Sequence, residues 1–384
     1  MNMLTKMIEL TNIRISLPND KIPSKAKIRD IVAAFFPKEW PSVEPDTLIT
    51  SYTPKFANPH CTVQRPAPSD DPPIEPLKAF IKFHNPSMAD LEAFQHLLPS
   101  KQEEAVFCTE FGRTGWGAQA YGLFQTEDGT FGRVDEFLDA RTLEPEDVEN
   151  TEIRADVARG LAAFHAMDLA VEKKEMATFY EALVGGLRKL RGMETLKDLG
   201  RKGGVNIDKL VDYDFASQLE TILDKLEGMG AKKGWCIHDV QFMNVLVRND
   251  PELGESKTVL IDFEFAMWNY RAFDVGGHFM QKMFKWYDGE SKIANCRRYA
   301  EEERRHFCEE YVEEWNRRSG NSDTSEKVLL ESELGYLLAV GFDIHNMLCV
   351  MEGEDDSDPL SLVGLDKLFE EFVCQYGEIL AGAQ

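Results

Sequence analysis

The chain predicts an α/β (α+β) fold in two lobes: a small antiparallel-sheet lobe over residues 1–137 and a larger, mostly helical lobe over 138–384. Three observations carry that expectation. Short β-type runs crowd the first third, at 48–52, 61–65, 77–84, 105–111, 120–124 and 131–138. Helical periodicity dominates from residue 151 onward. The run 235–247 carries Asp239, Gln241 and Asn244 in a polar loop, and after a polar interval the β-type run 258–261 leads straight into Asp262.

Composition bounds the reading. At 384 residues the chain can bury a large core and is long enough for two lobes. A net charge of −24 disfavours nucleic acid, whose phosphates it would repel. The seven cysteines are irregularly spaced with no CxxC pair, which fits reduced thiols better than a disulfide framework or a zinc site. No signal-type apolar core and no run of 18 apolar residues is visible, so the expectation is a cytoplasmic protein without a membrane span.

Taken in order, residues 1 to about 45 read as an N-terminal extension in which 28–36 form a short helix ending before Pro37. Strands at 48–52 and 61–65 flank a loop, 53–60, that contains no glycine. Pro66 to Pro76 reads as an exposed loop. In the strand 77–84, alternation puts Lys78, Phe80 and Lys82 on one face and Ala79, Ile81 and Phe83 on the other. An amphipathic helix at 88–98 and strands at 105–111, 120–124 and 131–138 complete the first lobe. A helix over 151–167, capped by Asn150 or Thr151, carries Ile153, Val157, Leu161 and Phe164 on one stripe and a structural His165. Residues 170–233 read as helices broken at Gly185-Gly186, Gly192, Gly200 and Gly203-Gly204. Asp274, beside Arg271 and a helix start near Val275, reads as an N-cap and structural anchor.

The polar loop carries the chemistry. An Asp followed five residues later by Asn, then a strand ending in Asp, is a layout suited to phosphoryl transfer. Asp239 would accept the proton of an attacking hydroxyl. Asn244 and Asp262 would supply hard oxygen ligands to Mg²⁺, with Glu264 and Gln241 in support.

The runs His238-Asp-Val-Gln-Phe-Met-Asn244, Leu260-Ile-Asp-Phe-Glu-Phe265 and Asn269-Tyr-Arg-Ala-Phe-Asp-Val-Gly-Gly-His-Phe279 resemble those of the choline/ethanolamine kinases. These belong to the aminoglycoside-phosphotransferase-like small-molecule kinases. The resemblance implies a bilobal protein-kinase-like fold with ATP, Mg²⁺ and a small-molecule acceptor as partners, a homodimer being among the assemblies it allows. It also implies that Lys82 touches the nucleotide phosphates, paired with Asp90 (or Glu92), and that Asn58 stands in the phosphate loop with Lys55 or His60 nearby. Adenine would be read by the connector at Val134 to Leu138, including Glu136, Phe137 and Leu138.

Departures from the family pattern are specific. The histidine sits one place late, so His238 takes no role from the family's histidine. After Phe279 the family usually continues Cys-Glu-Trp, whereas this chain has Met280-Gln281-Lys282, and a neutral amide replaces the carboxylate. Gln281 would then hydrogen-bond an amine, with Trp286 and Tyr336 as aromatic walls. The expected activity is transfer of the γ-phosphoryl group to the hydroxyl of a small amine-bearing metabolite. Its alternatives are a same-fold kinase of another small hydroxyl compound and a catalytically weak pseudokinase that only binds.

Overall fold

The computed structural model describes residues 10–17, 22–53, 58–68, 72–84 and 94–381. Two compact units emerge: Met1–Ala89 with Pro99–Asp139 and Leu169–Val171, and Asp90–Leu98 with Ala140–Asp168 and Glu172–Gln384.

The first unit is built on a six-stranded sheet. Its elements are β1 (Leu10–Ile13), α1 (Lys25–Ala33), β2 (Ile49–Thr53), β3 (His60–Gln64), β4 (Lys78–Phe83), α2 (Lys101–Gly112), β5 (Ala120–Thr126) and β6 (Phe131–Glu136). Strand order is β1-β5-β6-β4-β3-β2, antiparallel throughout except for the parallel pairing of β1 with β5. Alternation decides which face is core: Cys61 and Val63 of β3, and Ala79, Ile81 and Phe83 of β4, pack with Ile28, Ile31 and Val32 of α1. Residues 105–111, expected as a strand, are helical instead. Ser100 and Glu103 form a reciprocal capping box that starts α2, and this local signal outweighs the β-type composition of the run.

The second unit comprises β7 (Ala140–Thr142), α3 (Thr151–His165), α4 (Met176–Leu190), α5 (Glu194–Lys202), α6 (Asp208–Asp212), α7 (Phe215–Gly228), β8 (Lys233–Cys236), β9 (Val245–Arg248), β10 (Thr258–Leu260), β11 (Met267–Tyr270), α8 (Ala272–Gln281), α9 (Glu301–Ser319), α10 (Ser325–Glu352) and α11 (Pro359–Ala381). Asn150 caps α3 by accepting the amides of Glu152 and Ile153. Gly185, Gly186 and Gly200 break nothing: they lie inside α4 and α5, whose buried apolar stripes carry the helices through. Gly192 and Gly204, by contrast, adopt positive φ just beyond helices, where a turn needs it.

Two features set the frame of the site. Strand β9 pairs with β10 and β8 with β11, both antiparallel, so the loops 237–244 and 261–266 each link one small sheet to the other. Helices α8 and α10 meet backbone to backbone. A Cβ at Gly335 would lie 1.8 Å from the carbonyl oxygen of Ala272, and one at Gly276 would lie 2.1 Å from the amide of Tyr336. Only glycine at both positions permits that crossing. Among the described residues, α10 is also the helix long and apolar enough to cross a membrane, yet 67% of its most apolar window is buried, as befits a core helix.

Candidate active site

The loop 237–244 is anchored from α8. Asp274 stands in the first turn of that helix, whose N-cap is Arg271, so the N-cap expectation for Asp274 is corrected while its anchoring role has a visible basis. Its buried carboxylate accepts the amides of Ile237 at 2.5 Å and His238 at 3.0 Å, and meets Nε2 of His165 at 3.1 Å. These partners hold Asp274 below its usual carboxylate range against the opposing effect of burial. His238 takes a positive φ of 65°, a conformation costing a non-glycine residue about 1–3 kcal/mol, which the Asp274 contacts offset. Its Nδ1–H donates to the carbonyl of Cys236 at 3.1 Å, leaving Nε2 to accept from the Asn269 amide at 2.8 Å. His238 is therefore a buried, neutral brace, a role the sequence comparison did not assign it. His165 completes the frame through its Nδ1 contact with Tyr311 Oη at 2.6 Å.

With the loop so held, Asp239 meets the side chains five and two residues on. Asn244 Nδ2 donates to the Asp239 carboxylate at 2.8 Å and to its backbone carbonyl at 3.1 Å, and Gln241 Nε2 donates to the carboxylate at 3.1 Å. Both amide NH₂ groups thus face Asp239, which turns their oxygens outward as hard donors. Burial raises Asp239 to about 6; the Asp262 carboxylate adds to the rise and the Gln241 and Asn244 amides oppose it. Beyond the β9–β10 ladder, the amide of Ile261 donates to the carbonyl of Asn244 at 3.0 Å, which sets Asp262 next to that residue. Asp262 also has a positive φ of 65°. Glu264, two residues on, is buried. A carboxylate and an outward amide oxygen on adjacent strand ends fit a hard divalent cation such as Mg²⁺.

Asp239 also borders a cavity of about 580 Å³ lined by His238, Phe265, Phe342, Asp343, Met347 and Leu362 among others. The expected acceptor residues sit differently. Gln281 is engaged at both ends: Nε2 donates to Asp343 at 3.3 Å and Oε1 accepts from Trp286 Nε1 at 3.1 Å. Trp286 stacks on Phe284 with ring centroids 4.7 Å apart. Tyr336 points its hydroxyl at Glu371, 3.3 Å away. Neither aromatic is among the described residues lining the cavity; Phe342 and Asp343, further along α10, take that place. Lys282 is fully buried against Glu303 at 3.5 Å and Glu149 at 3.6 Å, so its charge is neutralised away from the cavity.

In the first unit, Lys82 of β4 meets Glu104 of α2 at 3.7 Å. Glu104 also accepts from Arg133 at 3.0 Å and Lys101 at 3.1 Å, and Arg133 binds Asp135 at 2.8 Å. Despite complete burial, these cations hold Glu104 well below its ordinary value. Asp90, Glu92 and Lys55 lie outside the described residues; Glu104 is the partner the sequence reading missed, and the Ser100/Glu103 capping box was the signal for its helix. Asn58 is buried, and the ring of His60 hydrogen-bonds its backbone. Glu136 ends β6, its carboxylate accepting the Gln119 amide at 3.1 Å. Phe137 lies under the Lys78 ammonium at 4.8 Å, and half-buried Leu138 follows just before the unit ends at Asp139.

A model of the choline/ethanolamine kinase family matches residues 79–347. Human choline/ethanolamine kinase is 25% identical over 234 residues, covering 60% of this chain and 56% of that protein. Mouse choline kinase alpha is 27% identical over 214 residues, covering 54% and 45%. The chain thus spans about half the length of the curated relatives it matches. The crystal structure of a choline kinase from Cryptosporidium parvum Iowa II superposes with a TM-score of 0.60 at 14% identity, covering 93% of this chain and 97% of that one, which shows the shared fold. With its matched region running across both units, the chain belongs to the choline/ethanolamine kinase family.

Proposed function

We propose that the chain transfers the γ-phosphoryl group of ATP, with Mg²⁺, to the hydroxyl of a small amine-bearing metabolite. The observation that carries this is the setting of Asp239: braced by two amides, raised to about 6 by burial, and bordering a cavity that holds further carboxylates, Asp343 among them. A base with that value is ionised at neutral pH yet basic enough to take a hydroxyl proton as the oxygen attacks. Asp262 and Asn244 would hold the metal, with Glu264 and Gln241 in support. Bound there, Mg²⁺ supplies charge neutralisation for the phosphates. Lys82, oriented by Glu104, would contact the nucleotide phosphates, with Asn58 in the loop beside it. The connector residues Glu136, Phe137 and Leu138 would meet the adenine.

Positioning and electrostatics carry most of such a reaction. The intact Asp239, Asn244 and Asp262 set argues against a pseudokinase. The volume of the cavity favours, as a second reading, a kinase of this fold for a larger hydroxyl compound, because about 300–1,000 Å³ is the range that encloses drug-sized ligands. A screen of amino alcohols with purified protein, ATP and Mg²⁺, read by mass spectrometry, tests the proposal. A phosphorylated amino alcohol supports it, and ATP turnover to free phosphate with every compound unchanged contradicts it.

A further inference from the structure

One half-buried carboxylate in the second unit is absorbed neither by the base nor by the metal site. Asp343 lies in α10, two turns beyond the close crossing at Gly335, and Gln281 of α8 reaches it from the other side of that crossing. The orientation of Gln281 is fixed by its two partners. With its oxygen accepting from Trp286 and its NH₂ donating to Asp343, flipping the amide would set donor against donor and acceptor against acceptor. Gln281 therefore turns its oxygen to Trp286, and the group it holds at the cavity is the Asp343 carboxylate, which lines that cavity together with Asp239.

The surroundings sharpen its demand. The cavity lining combines Phe342, Phe265, Met347, Met351 and the neutral His238 with the polar Asn346 and Asp239. Apart from Asp239, the proposed base, the other carboxylates along this cavity are weaker competitors: Asp358 caps α11 through Ser361, Asp356 accepts the Ser357 amide, and Glu354 is exposed to solvent. Among the described residues Gln281 donates to Asp343, and a carboxylate with so few donors gains from a charge-assisted N–H···O bond of about 2.7–2.9 Å. A quaternary ammonium carries methyl groups in place of N–H and leaves the remaining lone pairs without that partner.

We propose that Asp343 is the specificity-determining carboxylate of the acceptor site, and that it selects an amino alcohol whose cationic nitrogen keeps at least one N–H. Gln281 and Trp286 act as positioning residues that hold the carboxylate toward the cavity. This rests on the phosphotransferase reading only for the identity of the cavity as the acceptor site. The raised pKa of Asp343, about 8 through burial and the nearby Asp239, agrees with a carboxylate short of donors until a cation arrives.

Calorimetric binding of ethanolamine, its N-methyl and N,N-dimethyl derivatives and choline to the full chain tests the inference independently of turnover. The expected result is a step between the dimethyl compound and choline of tenfold or more, equal to about 1.4 kcal/mol, which Asp343→Asn erases by weakening the N–H amines. A smooth series, a preference for choline, equal losses for all four amines in Asp343→Asn, or no binding at all would overturn it. Phosphorylation of the bound amines, assayed separately with ATP and Mg²⁺, reports on the catalytic reading. Selective binding without product would leave Asp343 in place and sink the kinase proposal instead.

Discussion

Asp274 Oδ1 accepts the backbone amide of His238 at 3.0 Å, across 36 residues of chain. That contact ties the start of the loop 237–244 to α8 and holds His238 in its left-handed conformation, one residue before Asp239. The Asn-Tyr-Arg-x-Phe-Asp motif, read as a family signature, is thus a scaffold. Asn269 orients His238, Asp274 holds two loop amides, and Arg271 binds Glu331 and Asp323, both at 2.9 Å.

Asp274→Asn removes a charged acceptor of several buried hydrogen bonds and should destabilise the fold by about 3 kcal/mol, with turnover falling as the loop loosens. The folded pKa of Asp274 lies below its ordinary 3.8, so its contribution is complete above that value and is lost as pH falls through the folded one. The stability gap between parent and variant, read by denaturant melts, should be full at pH 7 and shrink below about pH 4. A gap independent of pH would show that charge plays no part.

Asp343→Asn should do the opposite. Its folded pKa is raised to about 8, so the ionised carboxylate costs stability progressively as pH rises from the unfolded value toward 8. The amide variant, free of ligand, should melt higher than the parent, with a larger gain at pH 8 than at pH 5. Each kcal/mol gained would raise Tm by roughly 1–2 °C in a chain of this length. A variant that melts lower than the parent at pH 8 contradicts the assignment of a strained carboxylate. Stability given up at Asp343 would mark a functional site.

Legibility followed locality. Asp239, Asn244 and Asp262 could be read because they lie within one stretch whose strand patterning brings them together, and β9, β10 and the Ile261–Asn244 hydrogen bond do so. Glu104 could not, because a β-type composition over 105–111 hid a helix whose cap, Ser100 with Glu103, lay just upstream. Asp343 was missed for another reason. It is a lone carboxylate within an apolar helix, and its meaning depends on a crossing at Gly276 and Gly335 that no local period encodes. The expected aromatic wall at Tyr336 lies about two turns before Asp343 on the same helix.

Glu104→Gln leaves Lys82 and Arg133 without their shared anion. Breaking a buried pair in this way costs about 3–5 kcal/mol, so Tm should fall, and KM for ATP should rise while KM for the acceptor holds. Steady-state kinetics with each substrate varied in turn reads this split. A lower Tm with an unchanged KM for ATP would make Lys82 purely structural.

Asp262→Ala removes a hard anionic ligand. ATP affinity measured with Mg²⁺ should fall by roughly tenfold or more, while affinity in excess chelator changes little. Equal losses in both conditions would assign Asp262 to the fold.

The most direct test of the account is Asp239→Asn, which keeps shape and hydrogen-bonding reach but removes the proton acceptor. Turnover of the best amino alcohol should drop by about 10²–10⁴-fold, with Mg²⁺-dependent ATP binding nearly unchanged by calorimetry. A variant that phosphorylates the acceptor at close to the parent rate would contradict the assignment of Asp239 as the base.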